Sequence, residues 1–227
     1  MQNFHYISEE DIHQLSLAEN EFLLIQIHVS DLKSSHDDRL ALLNKSETDK
    51  ALSFRNEKDR ETYACAHAFL RSILAVLFQC KPDDLFFLTE ASGKPYVQTS
   101  GILTSNKTIH FSLSHSGNYV ALCFHLQQPV GIDVEQINRT TDYATIVENY
   151  FTEQEKQEYA SAENKVVYFL QKWTTKEAAG KVGGDGIAKL KSIQIPDGYK
   201  TDSFLNEETV LSVCYPAESL SKNYYII

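Results

Sequence analysis

The sequence predicts an α+β fold made of two similar halves. The chain has 227 residues, of which 42% are hydrophobic and 23% charged, so it can form one globular domain or two halves of roughly 110 residues. An apolar strand pattern at 24–29 is followed by a helical region and by a second strand at 120–123. The same order recurs as 130–135, a helical region and 210–214. This repetition favours two α+β halves over a doubly wound parallel sheet.

In the first half, the pattern predicts a strand, a long helix and a short hairpin. Residues 21–29 alternate as in a half-buried strand. The apolar face of this strand consists of Leu23, Ile25, Ile27 and Val29. Region 53–79 has helical spacing and ends at the Lys-Pro-Asp-Asp segment 81–84. A short strand at 86–88 then leads to a turn at 92–95, where Gly and Pro are typical.

The remaining elements follow from turn and capping signals. Residues 110–124 predict a hairpin, because Gly117-Asn118 suits a two-residue turn between two apolar runs. The strand at 131–135 comes next. Residues 164–181 predict a helix that ends at a Gly-Gly pair, and 193–227 predict strands and loops.

Composition also limits the location and the partners. The first residues are polar and acidic rather than a cationic and apolar signal segment, and the apolar stretches 22–29 and 69–78 are too short to span a bilayer. A cytoplasmic protein is therefore expected. The net charge of −10 argues against nucleic acid and anionic membrane as partners.

Two segments carry the chemistry, the strand at 131–135 and the helix residues 173–181 (WTTKEAAGK). Residues two apart on a strand share a face, so Asp133 and Glu135 point the same way. Residues four apart on a helix share a face, so Glu177 and Lys181 lie in one stripe. If the strand meets the helix, three carboxylates and a lysine converge. Such a cluster suits a hard divalent cation and the phosphate oxygens that it binds.

Each piece also has a purely structural interpretation. Asp133 and Glu135 could lie on the solvent-exposed face of a half-buried sheet. Glu177 and Lys181 could form an exposed i,i+4 salt bridge contributing about 0.3 kcal/mol. Trp173, on the same helix face, could be a core anchor. The combination favours a site over the separate alternatives.

Four segments together resemble the 4′-phosphopantetheinyl transferases, specifically the longer, pseudo-duplicated type. The segments are 93–95 (GKP), 111–116 (FSLSHS), 131–135 (GIDVE) and 173–181. Their order and spacing also match, and the resemblance covers residues 50–190. It implies two similar α+β halves related by a pseudo-twofold axis. Residues 1–128 would hold the nucleotide side of coenzyme A, and 129–227 the metal and the catalytic carboxylates.

The resemblance implies transfer of the 4′-phosphopantetheine group of coenzyme A to a serine of an acyl or peptidyl carrier protein, releasing adenosine 3′,5′-bisphosphate. Mg²⁺ would be held by Asp133, Glu135 and Glu177. Glu177 would also act as the base that takes the serine proton, and Lys181 and His115 would pair with the phosphates. Without the motif, His115 would be interpreted as a histidine capping the hairpin.

The resemblance also assigns a set of coenzyme A contacts. They are Arg55, Lys58, Arg60, Gly93, Lys94, Pro95, Ser114, His115 and Lys181. The three basic residues at 55–60 are the candidates for the 3′-phosphate, although each could equally lie on a solvated helix face. The glycine-lysine-proline trio could be an ordinary turn. The chain departs from the family at Thr62, where a basic residue is frequent, and at Ser112, where asparagine is usual.

Other functions stay open at this point. A metal-dependent pyrophosphate hydrolase could use the same carboxylates with water as the nucleophile, and a non-catalytic module could bind coenzyme A or a carrier. A monomer would suffice, because one chain supplies both halves. The carrier is expected to contact 137–151 through exposed residues. These are Arg139, Tyr143, Ile146 and Tyr150.

Overall fold

The computed structural model describes residues 4–99, 108–138, 140–184, 187–219 and 221–227. Six α-helices and ten strands form within these ranges. The α+β class predicted from the sequence is confirmed. No helix among the described residues is long and apolar enough to cross a membrane.

The helices differ greatly in length, and two long ones dominate. They are α1 (His36–Ala41), α2 (Lys45–Ser53), α3 (Glu57–Phe78), α4 (Ala144–Tyr150), α5 (Glu153–Ser161) and α6 (Lys165–Gly183). Short 3₁₀ helices occupy Glu9–Gln14, Val29–Asp31, Pro82–Asp84 and Ile187–Ser192. The predicted helical region at 53–79 begins too early: α2 ends at Ser53, the backbone is extended at Phe54, and α3 begins after the Asn56 cap. Arg55 therefore lies outside the long helix.

The strands form three sheets. They are β1 (Phe4–Tyr6), β2 (Glu21–His28), β3 (Leu85–Thr89), β4 (Pro95–Thr99), β5 (Ile109–Ser116), β6 (Tyr119–Leu126), β7 (Gly131–Gln136), β8 (Tyr199–Leu205), β9 (Thr209–Pro216) and β10 (Ser221–Ile226). The first sheet has the order β1-β10-β2-β6-β5, and another has the order β7-β9-β8. Strands β3 and β4 form a separate hairpin.

The predicted duplication has a counterpart in the strand register. Strand β2 pairs antiparallel with β6, and β7 pairs antiparallel with β9. The pair Leu24–Cys123 in the first half corresponds to Gly131–Cys214 in the second. Gln26 and Asp133 each lie two residues further along their strands and so occupy equivalent positions. In each half a long helix, α3 or α6, packs on the paired strands. The two halves thus repeat one plan, and only the second carries an acidic residue at this position.

The central strands of the first sheet, β2 and β6, are buried on both faces. Leu23, Ile25 and Ile27 of β2 belong to a core shared with α3. Phe22 and Leu24 point the other way, into a core that includes Ile132 and other residues of β7 and β9. Because side chains alternate along a strand, β2 serves both cores at once. The sheets of the two halves therefore pack face to face, and β7 runs beside β5.

The segment at 137–151 differs from the expectation. Tyr143 is buried and stacks on Phe169 with ring centroids 4.1 Å apart, so the prediction that it is exposed is wrong. Ile146 and Tyr150 are half-buried against the same core. Arg139 lies outside the described residues. The fully exposed residues of α4 are small or polar, and they include Glu148 and Asn149.

Candidate active site

The candidate site lies where β5 and β7 meet the end of α6. Strand β7 approaches α6 closely because Gly131 has no side chain: a Cβ atom there would lie 1.9 Å from the carbonyl oxygen of Ala178. Helix α6 begins at the Asn164 cap, where the side chain accepts a hydrogen bond from the Val167 amide, and ends at Gly184 with φ of 73°. The missing side chain at Gly131 lets α6 lie directly against β7, and the two helix ends fix the length of α6.

Asp133 is the most constrained carboxylate of the site. It is buried, and its Oδ1 accepts hydrogen bonds from Ser114 Oγ at 2.7 Å and from Lys181 Nζ at 2.8 Å. Lys181 also donates to the Ile132 carbonyl at 2.9 Å. Lys181 thus pairs with Asp133 rather than with Glu177. The other oxygen, Asp133 Oδ2, is buried and has no hydrogen-bond partner among the described residues.

The other two carboxylates are half-buried and less firmly held. Glu135 Oε2 accepts a hydrogen bond from Ser116 Oγ at 2.6 Å. Burial, opposed by the Ser116 hydrogen bond and reinforced by the charge of Asp133, raises the pKa of Glu135 to about 7. Burial and then Asp133 also raise the pKa of Glu177, while Lys181 opposes the shift. The three carboxylates therefore lie within electrostatic reach of one another.

Ser114 and His115 point in opposite directions, as adjacent strand residues must. Ser114 faces Asp133, whereas His115 is exposed. The pKa of the His115 imidazole is lowered, first by desolvation and then by the positive charges of His67 and Lys181. His115 thus lies within electrostatic reach of His67 and Lys181, and also of Asp59 and Asp133.

A cavity of about 390 Å³ opens beside Lys181. Its lining residues are His67, Ser92, Gly93, Lys94, Pro95, Phe111, Ser112, Leu113, Lys181 and Gly184. The structure thus brings the glycine-lysine-proline turn together with Lys181. Both halves contribute to the walls.

The three basic residues at 55–60 lie elsewhere. Arg55 and Lys58 are exposed and are not among the lining residues of the cavity beside Lys181. Arg60 is half-buried, and its guanidinium donates to the Phe54 carbonyl at 3.3 Å. Thr62 donates to the Gly117 carbonyl at 2.9 Å, which ties α3 to the hairpin turn.

Lys94 and Lys176 also have partners within the fold. Lys94 Nζ donates to the Val182 carbonyl at 3.1 Å, at the end of α6. Lys176 is buried, pairs with Glu155 at 3.0 Å and donates to the Leu190 carbonyl. Lys176 therefore links α6 to α5 and to the 3₁₀ helix Ile187–Ser192, and it does not face the carboxylates.

Two residues near the site were not singled out by the sequence analysis. Ser116 holds Glu135, and His67 lines the cavity. Both had a detectable signal: Ser116 continues the period-2 alternation of Ser114, and His67 lies seven residues beyond Arg60 on one helix face. Neither pattern indicates a functional role until the tertiary structure places the strand and the helix beside the carboxylates.

The carboxylate oxygens and the cations suit a hard divalent ion and phosphate. No group of three or more His, Cys, Asp or Glu side chains stands close enough to hold one metal ion within the part of the chain that the structure describes. The buried and unpartnered Asp133 Oδ2 nevertheless fits a metal ligand, because a buried polar atom without a partner is costly and oxygen is the donor that Mg²⁺ prefers. The fold and this site together define a class of enzymes that act on phosphate groups.

Comparison with known proteins gives the family. Residues 129–226 match the family model described as 4′-phosphopantetheinyl transferase superfamily, and residues 31–127 match one described as 4′-phosphopantetheinyl transferase, N-terminal. The chain is 32% identical over 183 residues to the 4′-phosphopantetheinyl transferase HetI of Nostoc sp., covering 80% of this chain and 76% of that protein. The chain belongs to the 4′-phosphopantetheinyl transferase superfamily.

Two further relatives are similar over a smaller share of their length. The chain is 34% identical to the 4′-phosphopantetheinyl transferase psf-1 of Bacillus pumilus, over 60% of this chain and 55% of that protein. It is 24% identical to the 4′-phosphopantetheinyl transferase Sfp of Bacillus subtilis, over 66% of this chain and 63% of that protein. The family predicted from the four segments is confirmed.

Proposed function

We propose that this chain transfers the 4′-phosphopantetheine group of coenzyme A to a serine of an acyl or peptidyl carrier protein. The serine oxygen forms a bond to the phosphorus of the pantetheine phosphate, and the bridging P–O bond of the pyrophosphate breaks. The serine proton passes to a base, and adenosine 3′,5′-bisphosphate leaves. The proposal keeps the cytoplasmic location and the monomeric state expected from the sequence.

The observation that carries the proposal is the asymmetry of Asp133. One carboxylate oxygen is held by Ser114 and Lys181, while the other is buried without a partner among the described residues. Asp133, Glu135 and Glu177 would hold Mg²⁺ there. When bound, the ion would neutralise the pyrophosphate oxygens and stabilise the leaving group.

Glu177 is proposed as the base. Burial and the charge of Asp133 raise its pKa, so it binds a proton more readily than an exposed glutamate does. A base whose pKa lies nearer the working pH is more effective in proton transfer. Lys181 would keep Asp133 neutralised and would offer positive charge to the phosphates, and His115 would offer them a hydrogen bond from its ring N–H.

The test is intact-mass analysis of several apo carrier proteins after incubation with the chain, coenzyme A and Mg²⁺. A gain of one phosphopantetheine mass, lost with EDTA, is expected. Replacing Glu177 (Glu177→Gln) should lower the rate by about 100- to 10,000-fold while coenzyme A binding survives. Glu163→Gln is the matched control, since Glu163 is exposed and precedes the cap of α6.

Three results would contradict the proposal in different ways. Full activity of the Glu177→Gln variant would remove Glu177 as the base. Release of adenosine bisphosphate without a carrier would indicate a pyrophosphate hydrolase. Coenzyme A binding with neither carrier modification nor release would indicate a non-catalytic module.

A further inference from the structure

The cavity beside Lys181 has a histidine on its far wall. His67 comes from α3, whereas the glycine-lysine-proline turn and Lys181 come from the hairpin and α6. The lining residues of this cavity within the described ranges include no aspartate or glutamate. In a chain with a net charge of −10, a cavity with cationic groups and no acidic lining is a local exception. It is therefore suited to an anionic ligand.

The imidazole of His67 lies against the carboxylate of Glu47. Its Nδ1 lies 3.7 Å from Glu47 Oε1, and the ring packs on Tyr63 with centroids 4.2 Å apart. Glu47 is itself fixed, because its Oε2 accepts a hydrogen bond from the buried Arg71 at 2.7 Å and another from the Asn44 amide at 2.8 Å. The orientation of the imidazole is thus set by partners on the side away from the cavity.

The carboxylate behind the ring, Glu47, is held in its ionised form. Burial alone would raise the pKa of Glu47, but its partners His67, Asn44 and Arg71 together lower it. Nε2 lies on the opposite side of the His67 ring from Nδ1, and His67 lines the cavity. With the Glu47 carboxylate at Nδ1 and a phosphate oxygen at Nε2, both ring nitrogens would act as donors.

The position of His67 explains how α3 can act at this site without its predicted basic residues. Arg60 and His67 lie seven residues apart and thus share one face of α3. Arg60 is bound to the Phe54 carbonyl, whereas His67, two turns further along, reaches the cavity. His67 is also near enough to His115 to influence its charge. His67 and Lys181 line the cavity together, and both lie close enough to His115 to influence its ionisation.

We propose that His67 is a further donor-binding residue, whose Nε2 donates a hydrogen bond to a phosphate oxygen of the nucleotide part of coenzyme A. The inference rests on the proposed function for the identity of the nucleotide. Its own content is that a histidine positioned by the Glu47–Arg71 pair supplies a hydrogen-bond donor to the donor cavity. A charge-assisted hydrogen bond of this kind is shorter and stronger than a neutral one.

The experiment measures binding of adenosine 3′,5′-bisphosphate by calorimetry, with adenosine, adenosine 3′-phosphate and adenosine 5′-phosphate as separate probes. His67→Gln removes the imidazole and should raise the Kd for the bisphosphate by about tenfold or more. The Kd for adenosine should stay within twofold. The monophosphate that loses affinity identifies the phosphate that His67 contacts. His67→Lys supplies another donor to the phosphate and should recover part of the affinity.

The matched control is His110→Gln. His110 lies on β5 and lines a neighbouring cavity of about 520 Å³ that shares Lys94 and Pro95 with the first but also contains Glu90. The control should bind the bisphosphate as the unaltered chain does. Melting temperatures of all variants separate loss of binding from loss of the Glu47 contact.

The outcomes separate the inference from the proposed function. If the unaltered chain modifies no carrier, the proposed function fails whatever His67 does. If the chain modifies carriers and His67→Gln binds the bisphosphate within twofold of normal, the inference is wrong. Equal loss of affinity for adenosine and for the bisphosphate would likewise overturn it, because a purely structural role would affect both.

Discussion

At the residue scale, three serines of β5 connect the halves. Ser112, Ser114 and Ser116 occupy alternate positions, and all three bond to β7. Ser112 Oγ accepts from the Ile132 amide, whereas the other two donate to Asp133 and Glu135. The first half thus orients the acidic side chains of the second. Groups that orient metal ligands typically change metal affinity 10- to 100-fold when removed.

Removal of the Ser116 hydroxyl should weaken metal binding. In Ser116→Ala, Glu135 loses the hydrogen bond that opposes its raised pKa, so protons compete better with the metal for this carboxylate. We expect the concentration of Mn²⁺ at half-saturation to rise about tenfold in calorimetry without coenzyme A. Ser116→Thr keeps the hydroxyl and is the control. An unchanged midpoint in the alanine variant would mean that Ser116 does not position a metal ligand.

At the element scale, the turn between β3 and β4 rests on the end of α6. Lys94 donates to the Val182 carbonyl, where a cation suits both the unpaired carbonyl and the helix dipole. Gly184 lies so close that a Cβ atom there would be 2.7 Å from Ser92 Oγ. The turn and the helix end thus form one wall of the cavity. Movement of either element would reshape the proposed donor site.

A methyl group at this contact should separate the two elements. Gly184→Ala places a Cβ against Ser92, whereas Gly198→Ala meets nothing within 4 Å. Both glycines have positive φ, 73° and 80°, so the backbone strain is of the same kind in the two variants. Gly184→Ala should therefore raise the KM for coenzyme A several-fold more than Gly198→Ala. Equal effects in kinetics and in melting temperature would show that strain alone is responsible.

At the scale of the whole molecule, the last strand ties the halves together. Strand β10 lies between β1 and β2 in the sheet of the first half, parallel to both, although it is the last strand of the second half in sequence. Strand β2 also shares its second face with the core of β7 and β9. A division at 128/129 remains a prediction, and the interlocking strands indicate that the halves depend on each other for folding.

A fragment of residues 1–128 should therefore fail to unfold cooperatively. Without β10, β1 has no partner and one edge of β2 is unpaired; without the second half, Phe22 and Leu24 lose their cover. Thermal unfolding followed by circular dichroism should show a broad transition or none. Adding residues 217–227 through a flexible linker restores the strand but not the second core, and should recover only part of the transition. A fragment as cooperative as the full chain would establish an independent domain.

The elements and the main acidic residues of the site were predictable from local patterns. The strand β2, the Gly117 turn and the Gly184 helix end depend on neighbouring residues only, and the structure has each of them. The alternation of β2 did not predict that its second face is buried as well. The boundary at Asn56 was missed, because apolar spacing continues across 53–56 while the cap depends on a side-chain hydrogen bond. The burial of Tyr143 was missed because its partner, Phe169, is distant in sequence.

The sequence by itself determined the class of fold, the family and the residue types that can serve phosphate chemistry, since these follow from periodicity and from short segments such as 131–135 and 173–181. Only the tertiary structure decided which charges meet. It placed Lys181 on Asp133 rather than Glu177, Ser116 on Glu135, and His67 rather than Arg55 at the cavity. The physical reason is that side-chain pairing depends on the distances between strands and helices. Those distances are set by the packing of two cores, and the residues of each core come from segments far apart along the chain.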